Sequence, residues 1–393
     1  PQAKALESRT VSINPASLVL GGGVAGLTAA FEIASTGKKV FLVEKTDRLG
    51  GFAVDFEFSF PTLSPAQTTV QALVKNVSQH QHIKVFLNTA VKEISGYVGN
   101  FKTKIKDQEL EFGNIIVATG LKSFNPDKIT EYGFGKLPNV ITSVEFEKRA
   151  RAGKLLMANG QTPKHVAIIH CVGSRNEKYH EYCSRTCCAT ALKFANQVKN
   201  TLPQTNVYQL YADMRAFGKG CEELYTQTAK KGVVFMMFDQ LESMPKVRRA
   251  APSDGCDMII ELDEKLSGQT VDVSADLVVL MTAVEAHDDA RDIAHAAGVS
   301  LCGNAFYIER HPKLDPVGTT TDGVYIVGSC QGPKDISDSV IQAKAAVARV
   351  LATICQGKVP IEVTTAVVDE DLCCGCQTCV KVCPYSAVKY NEE

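Results

Sequence analysis

The chain of 393 residues has almost no charge excess: 42 Lys and Arg stand against 43 Asp and Glu, for a formal net charge of −1. That balance removes any general case for a nucleic-acid-binding protein. The one local basic run, Lys246 to Arg249, reads as a solvated face. No apolar stretch reaches the roughly 18 residues of a membrane span, so a link to a membrane is expected only through a partner. No charged-then-apolar leader precedes the first strand, so residues 1–16 read as a polar lead-in without a signal peptide. Tryptophan is absent, and nothing about function follows from that. With 45% hydrophobic and 22% charged residues, a chain of this length is expected to bury ordinary cores in two or three domains.

Cysteine is abundant. Nine of the fourteen fall in two tight groups: Cys171, Cys183, Cys187 and Cys188, then Cys373, Cys374, Cys376, Cys379 and Cys383. A disulfide-dense secreted scaffold is short and lacks a full core, so these groups point to thiolate sites in a reducing cytoplasm. The singles Cys221, Cys256, Cys302, Cys330 and Cys355 read as core or surface residues, and Cys374 as a bystander.

A short apolar strand, residues 18–20, runs into Gly21, Gly22, Gly23, Val24, Ala25 and Gly26, a G-x-G-x-x-G match. A helix over 27–35 and a strand over 40–43 follow, ending at Glu44. In such a βαβ unit Gly21 permits the tight turn, Gly23 lets backbone approach a pyrophosphate, and Gly26 lets helix and strand pack. The helix N-terminus favours phosphate, and Glu44 can accept from a ribose diol. Arg48, Leu49, Gly50 and Gly51, directly after the acid, favour FAD over NAD. The apolar segments ending in Ala118, Thr119 and Gly120 and in Gly328 supply two further strand-to-glycine junctions, the second opening a helix over 338–353.

The βαβ pattern recurs between 122 and 285: strand 166–170, helix 189–198, strand 207–211. Its turn reads Cys171, Val172, Gly173, Ser174, Arg175, without a second glycine fingerprint, so a pyridine-nucleotide site there is lost or repurposed. Four cysteines at a strand end and a helix N-terminus can ligate a [4Fe–4S] cubane, whose negative charge the helix end favours. The C-x11-C-x3-C-C spacing is unlike a zinc finger or ribbon. Four buried thiols in a tolerant core are one rival. A redox dithiol is another, but the segment has no C-x-x-C.

Near the C-terminus, Cys373, Cys376, Cys379 and Cys383 followed by Pro384 form the C-x2-C-x2-C-x3-C-P run of bacterial ferredoxins. In two-cluster ferredoxins the fourth cysteine serves the other cluster. Either Cys383 completes this cluster, or its partner motif lies in further sequence or in another protein of a complex.

These stretches together resemble the HdrA family, the iron–sulfur flavoproteins of heterodisulfide reductases, over nearly the whole chain. The resemblance rests on residues 21–27, 43–45 and 49–51, on 60–63 and 94–101, on 171–175 with 182–188, on 213–220, and on 331–336 after Gly328. It implies a thioredoxin-reductase-like α/β fold of two Rossmann-like, dinucleotide-binding domains plus a short ferredoxin-like segment. The expected division is 1–121 with 286–358 for FAD, 122–285 for the four-cysteine site, and 359–393 for the ferredoxin segment. It implies FAD and two [4Fe–4S] clusters as cofactors. Lys45, Phe52, Val91, Ser329, Asp335 and Ile336 carry over as further flavin-binding positions. Longer members have cysteines where this chain reads Ser64, Pro65, Ala66, Gln67 and Thr68. They also have an inserted ferredoxin domain and two C-terminal motifs, so this chain is expected to be a shortened form or a fragment.

The implied function is electron transfer in a multi-subunit oxidoreductase, with no acid–base side chain as catalyst. Some members bifurcate electrons at the flavin; others serve quinone-linked complexes of sulfur metabolism. A stand-alone NAD(P)H-dependent flavin reductase and a docking scaffold with structural clusters are the competing functions. Expected partners are HdrB-like and HdrC-like iron–sulfur proteins, and a second copy of the chain.

Overall fold

A computed structural model describes residues 9–361, 368–383, 388 and 390. The helices, in chain order, are α1 (Val24–Ser35), α2 (Ala66–Ser78), α3 (Ser143–Arg151), α4 (Cys187–Thr201), α5 (Cys221–Lys230), α6 (Ala290–Ala297), α7 (Ile336–Gln356) and α8 (Thr378–Val382).

Two parallel five-stranded sheets organise the molecule. The first runs in the order Val324–Ile326, Asn114–Val117, Ser17–Leu20, Val40–Val43, Ile83–Phe86. Its central strands are short continuous apolar runs, buried throughout, as expected for a parallel sheet covered on both faces. Val19, Leu42 and Ile116 pack on α1 and α7 through Leu27, Ile33, Ala346 and Val350. Leu18, Phe41 and Ile115 face the opposite layer, a meander of Ser95–Tyr97, Asn100–Ile105 and Gln108–Phe112 together with α6.

The second sheet repeats the plan. Its order is Val140–Thr142, Leu277–Thr282, His165–Val172, Asn206–Tyr211, Val234–Met237. Helices α3 and α4 cover one face through Phe146, Phe194 and Val198. An antiparallel sheet of Lys246–Arg249, Met258–Glu264 and Gln269–Ala275 covers the other through Met258, Ile260 and Val273. The chain passes between the two sheets along a two-stranded ribbon, Lys122–Ser123 paired with Val284–Glu285.

A buried polar clamp also joins them. Lys193 on α4 and Glu147 on α3 are each 2% exposed and form an ion pair at 2.6 Å. Glu147 also accepts from the Glu57 N–H at 2.9 Å, and the Lys193 ammonium lies 4.9 Å over the Phe56 ring. The segment that follows the first sheet's glycine turn is thereby fastened to the second sheet's helices.

Some elements differ from sequence expectation. α1 starts at Val24 because Gly23 is still extended (φ −75°, ψ 179°). α4 starts at Cys187, two residues early, which places Cys187 and Cys188 in its first turn. Part of the expected lead-in is a strand: Arg9–Ser12 pairs antiparallel with Lys358–Ile361, a partner too distant in sequence for any local pattern to show. Residues 1–8 and Pro384 lie outside the described residues, as do 363–367 of the expected approach to the ferredoxin run.

Candidate redox centres

The glycine turn between Ser17–Leu20 and α1 is packed so tightly that side chains are excluded from two of its positions. A Cβ on Gly26 would lie 1.9 Å from the Gly21 carbonyl oxygen, and one on Gly21 would lie 2.3 Å from that of Ala118. A Cβ on Gly23 would meet nothing within 4 Å. The turn is therefore closed toward the protein and open on the side where the N–H groups of α1 emerge, the arrangement that admits a pyrophosphate.

The other expected flavin positions gather around it. The Gly50 N–H donates to the Gly22 carbonyl at 2.8 Å, and Gly51 sits against the Gly23 Cα. Gly328 abuts Ala25, and the Thr119 hydroxyl reaches the Tyr307 phenol at 3.5 Å. Glu44, 9% exposed, accepts from the Gly22 N–H at 2.6 Å and from the Thr46 N–H and hydroxyl. Asp335 caps α7 by accepting from the Asp338 N–H, Ile336 begins that helix, and Ser329 donates to the Lys334 carbonyl. Val91 is buried in the hydrophobic cluster that contains Leu20 and Val43. Lys45 pairs with Asp289, Arg48 with Asp55, and Phe52 is 41% exposed.

The middle cysteines come together. Cys171, Cys183, Cys187 and Cys188 line one small pocket with Ser174, Arg175, Ser184, Arg185, Asp213 and Arg215. A register shift between Ile169 and Val172 bulges the strand end, and bulges of this kind re-aim side chains beside functional sites. Cys171 there has φ 57°, and Arg175 and Arg185 have φ 54° and 59°. Such left-handed backbone in non-glycine residues costs energy and concentrates at functional sites. Gln240 holds the strained turn by donating to the Cys171 and Ser174 carbonyls, both at 3.2 Å.

The pocket suits an anionic sulfur-ligated group. α4 begins at it with no side-chain cap and no acid in its first turn, which leaves the dipole end uncompensated. The Arg185 N–H points to Cys183 Sγ at 3.3 Å and the Arg215 N–H to Cys188 Sγ at 3.4 Å. Arg175 Nη1 is buried, and the guanidinium lies against Cys171 and favours its thiolate. Burial first, and the neighbouring Cys188 second, push the Cys171 thiol up to about 12; burial likewise raises Cys187 and Cys188. A redox dithiol needs a readily formed thiolate, so these thiols are poorly poised for exchange, whereas coordination to a metal deprotonates a thiol outright. Among the described residues no three His, Cys, Asp or Glu side chains converge on a single ion. Four cysteines lining one pocket are the donor type and number that ligate a [4Fe–4S] cluster.

At the same turn Gly173 has φ 82°, and a Cβ there would meet the Phe124 ring at 2.6 Å.

The C-terminal cysteines are placed differently. Cys373, Cys374, Cys376 and Cys379 are exposed and Cys383 is partly buried. Cys376 lies 3.3 Å from the Thr378 hydroxyl, whose hydrogen bond pulls its thiol below the usual range. The described part of this segment does not collect them into a ligand set for one ion. Sequence reasoning did not single out Arg175, Arg185, Arg215 and Asp213 as pocket residues, although all four lie within the stretches 171–175, 182–188 and 213–220 that carried the resemblance.

Comparisons with known proteins agree with this architecture. The pyridine nucleotide-disulphide oxidoreductase family matches residues 16–349, and a 4Fe-4S binding domain matches 366–389. The HdrA component of the H(2):CoB-CoM heterodisulfide,ferredoxin reductase of Methanothermobacter marburgensis is 34% identical over 477 aligned positions, covering 98% of this chain and 71% of that protein. An HdrA iron-sulfur component of the CoB–CoM heterodisulfide reductase of Methanopyrus kandleri is 33% identical, covering 100% and 72%. Both alignments exceed this chain's 393 residues, so the relatives contain inserted segments. Among solved structures, the thioredoxin reductases of T. acidophilum and Lactococcus lactis share the fold, with TM-scores of 0.59 and 0.56 at 16% and 14% identity, over 87% and 86% of this chain and 99% of each of theirs.

Proposed function

The chain belongs to the HdrA family of heterodisulfide reductase components, an oxidoreductase family, and on that premise we propose that it is an electron-relay subunit with FAD at the first sheet and two [4Fe–4S] sites. FAD, when bound, exchanges electrons in pairs, and iron–sulfur clusters pass them singly. The observation that carries the proposal is the convergence of Cys171, Cys183, Cys187 and Cys188 on one pocket, where the second dinucleotide sheet would otherwise present its nucleotide turn.

Gly23 and the first turn of α1 would receive the pyrophosphate, Glu44 the ribose, and the N-terminus of α7 would close on the isoalloxazine. The four middle cysteines would hold one cluster. Cys373, Cys376 and Cys379, with Cys383 or a ligand from another chain, would hold the other. The ribbon of Lys122–Ser123 and Val284–Glu285 would mark where the flavin domain gives way to the cluster-bearing one. No side chain is needed as an acid or base. The protein's work is to hold the redox groups at fixed separation, exclude water from the middle pocket and leave the C-terminal segment accessible. The terminal disulfide substrate would bind a partner protein, as expected for one member of a larger complex.

Anaerobic reductive titration tests this. A low-potential one-electron donor is expected to bleach the flavin and develop a cluster EPR signal, while NADH and NADPH do neither in the isolated chain. Rapid flavin bleaching by either nucleotide would instead support a stand-alone flavin reductase.

A further inference from the structure

Three guanidinium groups surround the four-cysteine pocket, and no feature of the cysteine spacing requires them. Arg175, Arg185 and Arg215 line it, and Asp213 is the only carboxylate in the lining. Guanidinium does not deprotonate in proteins, so these are fixed charges. Arg175 is the most enclosed of the three: its side chain is 20% exposed, Nη2 is held by Asp213, Nη1 is buried, and the guanidinium also lies against Cys171, whose thiolate it favours. Arg215 is less committed, 3.9 Å from the same carboxylate. Arg185 is turned outward to Asp338 at 2.6 Å. Two carboxylates thus face three cations: Asp213 pairs most closely with Arg175 and Asp338 with Arg185, so the lining keeps a net positive charge through Arg215, and Arg175 is the most enclosed cation beside the cysteines.

A thiolate-ligated cluster is anionic and gains a further negative charge on reduction, and its potential responds to net charge, hydrogen bonds and solvent exposure. A buried fixed cation beside it favours the reduced form more than the oxidised one. We propose that Arg175 is the residue that sets the reduction potential of the four-cysteine site, raising it so that this site accepts electrons, with Asp213 holding the guanidinium in place and partly offsetting its charge. This inference rests on the assignment of a cluster to these cysteines. It deepens that assignment by naming a positioning residue that is not itself a ligand.

The test is an EPR redox titration of the anaerobically purified, cofactor-loaded full chain. Arg175→Gln is expected to lower the reduction equilibrium constant of the middle cluster by about tenfold, equivalent to about 59 mV for one electron. Arg175→Lys, which keeps the charge, is expected to stay within about threefold. Asp213→Asn is expected to shift the constant the opposite way to Arg175→Gln, and none of the three should move the C-terminal signal. The opposite-sign pair separates charge from general disruption, and Asp213→Asn carries the test if Arg175→Gln does not take up its cluster. A middle-cluster constant unchanged within about twofold, or shifts of the same sign in both variants, overturns the inference alone. Absence of any signal from the middle site in the unsubstituted chain overturns the assignment as well.

Discussion

Replacing Gly23 by alanine should separate cofactor binding from folding. Its backbone (φ −75°, ψ 179°) is one that alanine adopts freely, and the added Cβ would meet no atom within 4 Å. The substitution is expected to leave the apoprotein intact, or about 0.4–1 kcal/mol more stable through reduced freedom of the unfolded chain. The methyl would stand on the path by which a pyrophosphate reaches the N–H groups of α1. Losing one or two charge-assisted hydrogen bonds at about 1.5–3 kcal/mol each should weaken FAD binding by roughly 10- to 10,000-fold, at about 1.4 kcal/mol per decade. Gly26→Ala is the contrasting case. Its Cβ would lie 1.9 Å from a backbone oxygen, so the turn itself must shift, at a cost of about 1–3 kcal/mol or more. Fluorescence titration of deflavinated protein with FAD, paired with thermal melts of the apoproteins, reads both quantities. FAD affinity of Gly23→Ala within about twofold of the parent, or an apo melting point as low as that of Gly26→Ala, would refute this account of the turn.

Lys193→Met strands Glu147 inside the clamp, and removing one partner of a buried pair should lower stability by about 3–5 kcal/mol, read as a fall in the urea midpoint. The double variant Lys193→Met/Glu147→Leu should recover part of that loss. Gly173→Ala forces a Cβ against the Phe124 ring at φ 82° and should cost at least about 1–2 kcal/mol from backbone strain alone, read in thermal melts. His287 is held below its usual pKa by burial first and by the Lys45 charge second. The unfolded chain therefore protonates first as pH falls. The contribution is complete above about 6.5 and is lost as pH drops through the lowered folded value, so His287→Asn should flatten the acid side of a stability-against-pH curve.

The two nucleotide-type sheets were legible because parallel strands buried on both faces read as unbroken apolar runs, and glycines such as Gly21 and Gly26 leave a local signature wherever backbone must touch backbone. The four middle cysteines were recognisable as a group from their spacing and from their place at a strand end. What spacing could not show was how they converge: the bulge after Ile169, the left-handed backbone at Cys171, and the start of α4 at Cys187 itself. The arginines around them were hidden for a related reason, since Asp213 and Arg215 reach the pocket from the end of a neighbouring strand. Likewise the Glu147–Lys193 clamp reaches back to residues 56–58, some ninety or more positions away, and no periodicity reports a contact of that range. At the C-terminus the cysteine run is unmistakable as sequence, and Pro384 after it lies outside the described residues.

The most direct measurement is the iron, sulfide and flavin content of the anaerobically purified chain, compared with a Cys187→Ser/Cys188→Ser variant. The account predicts about eight irons, a matching amount of sulfide and one FAD per chain, falling to about four irons in the variant with the FAD retained. Equal iron content in parent and variant would contradict it, because Cys171, Cys183, Cys187 and Cys188 would then line a pocket that holds no cluster.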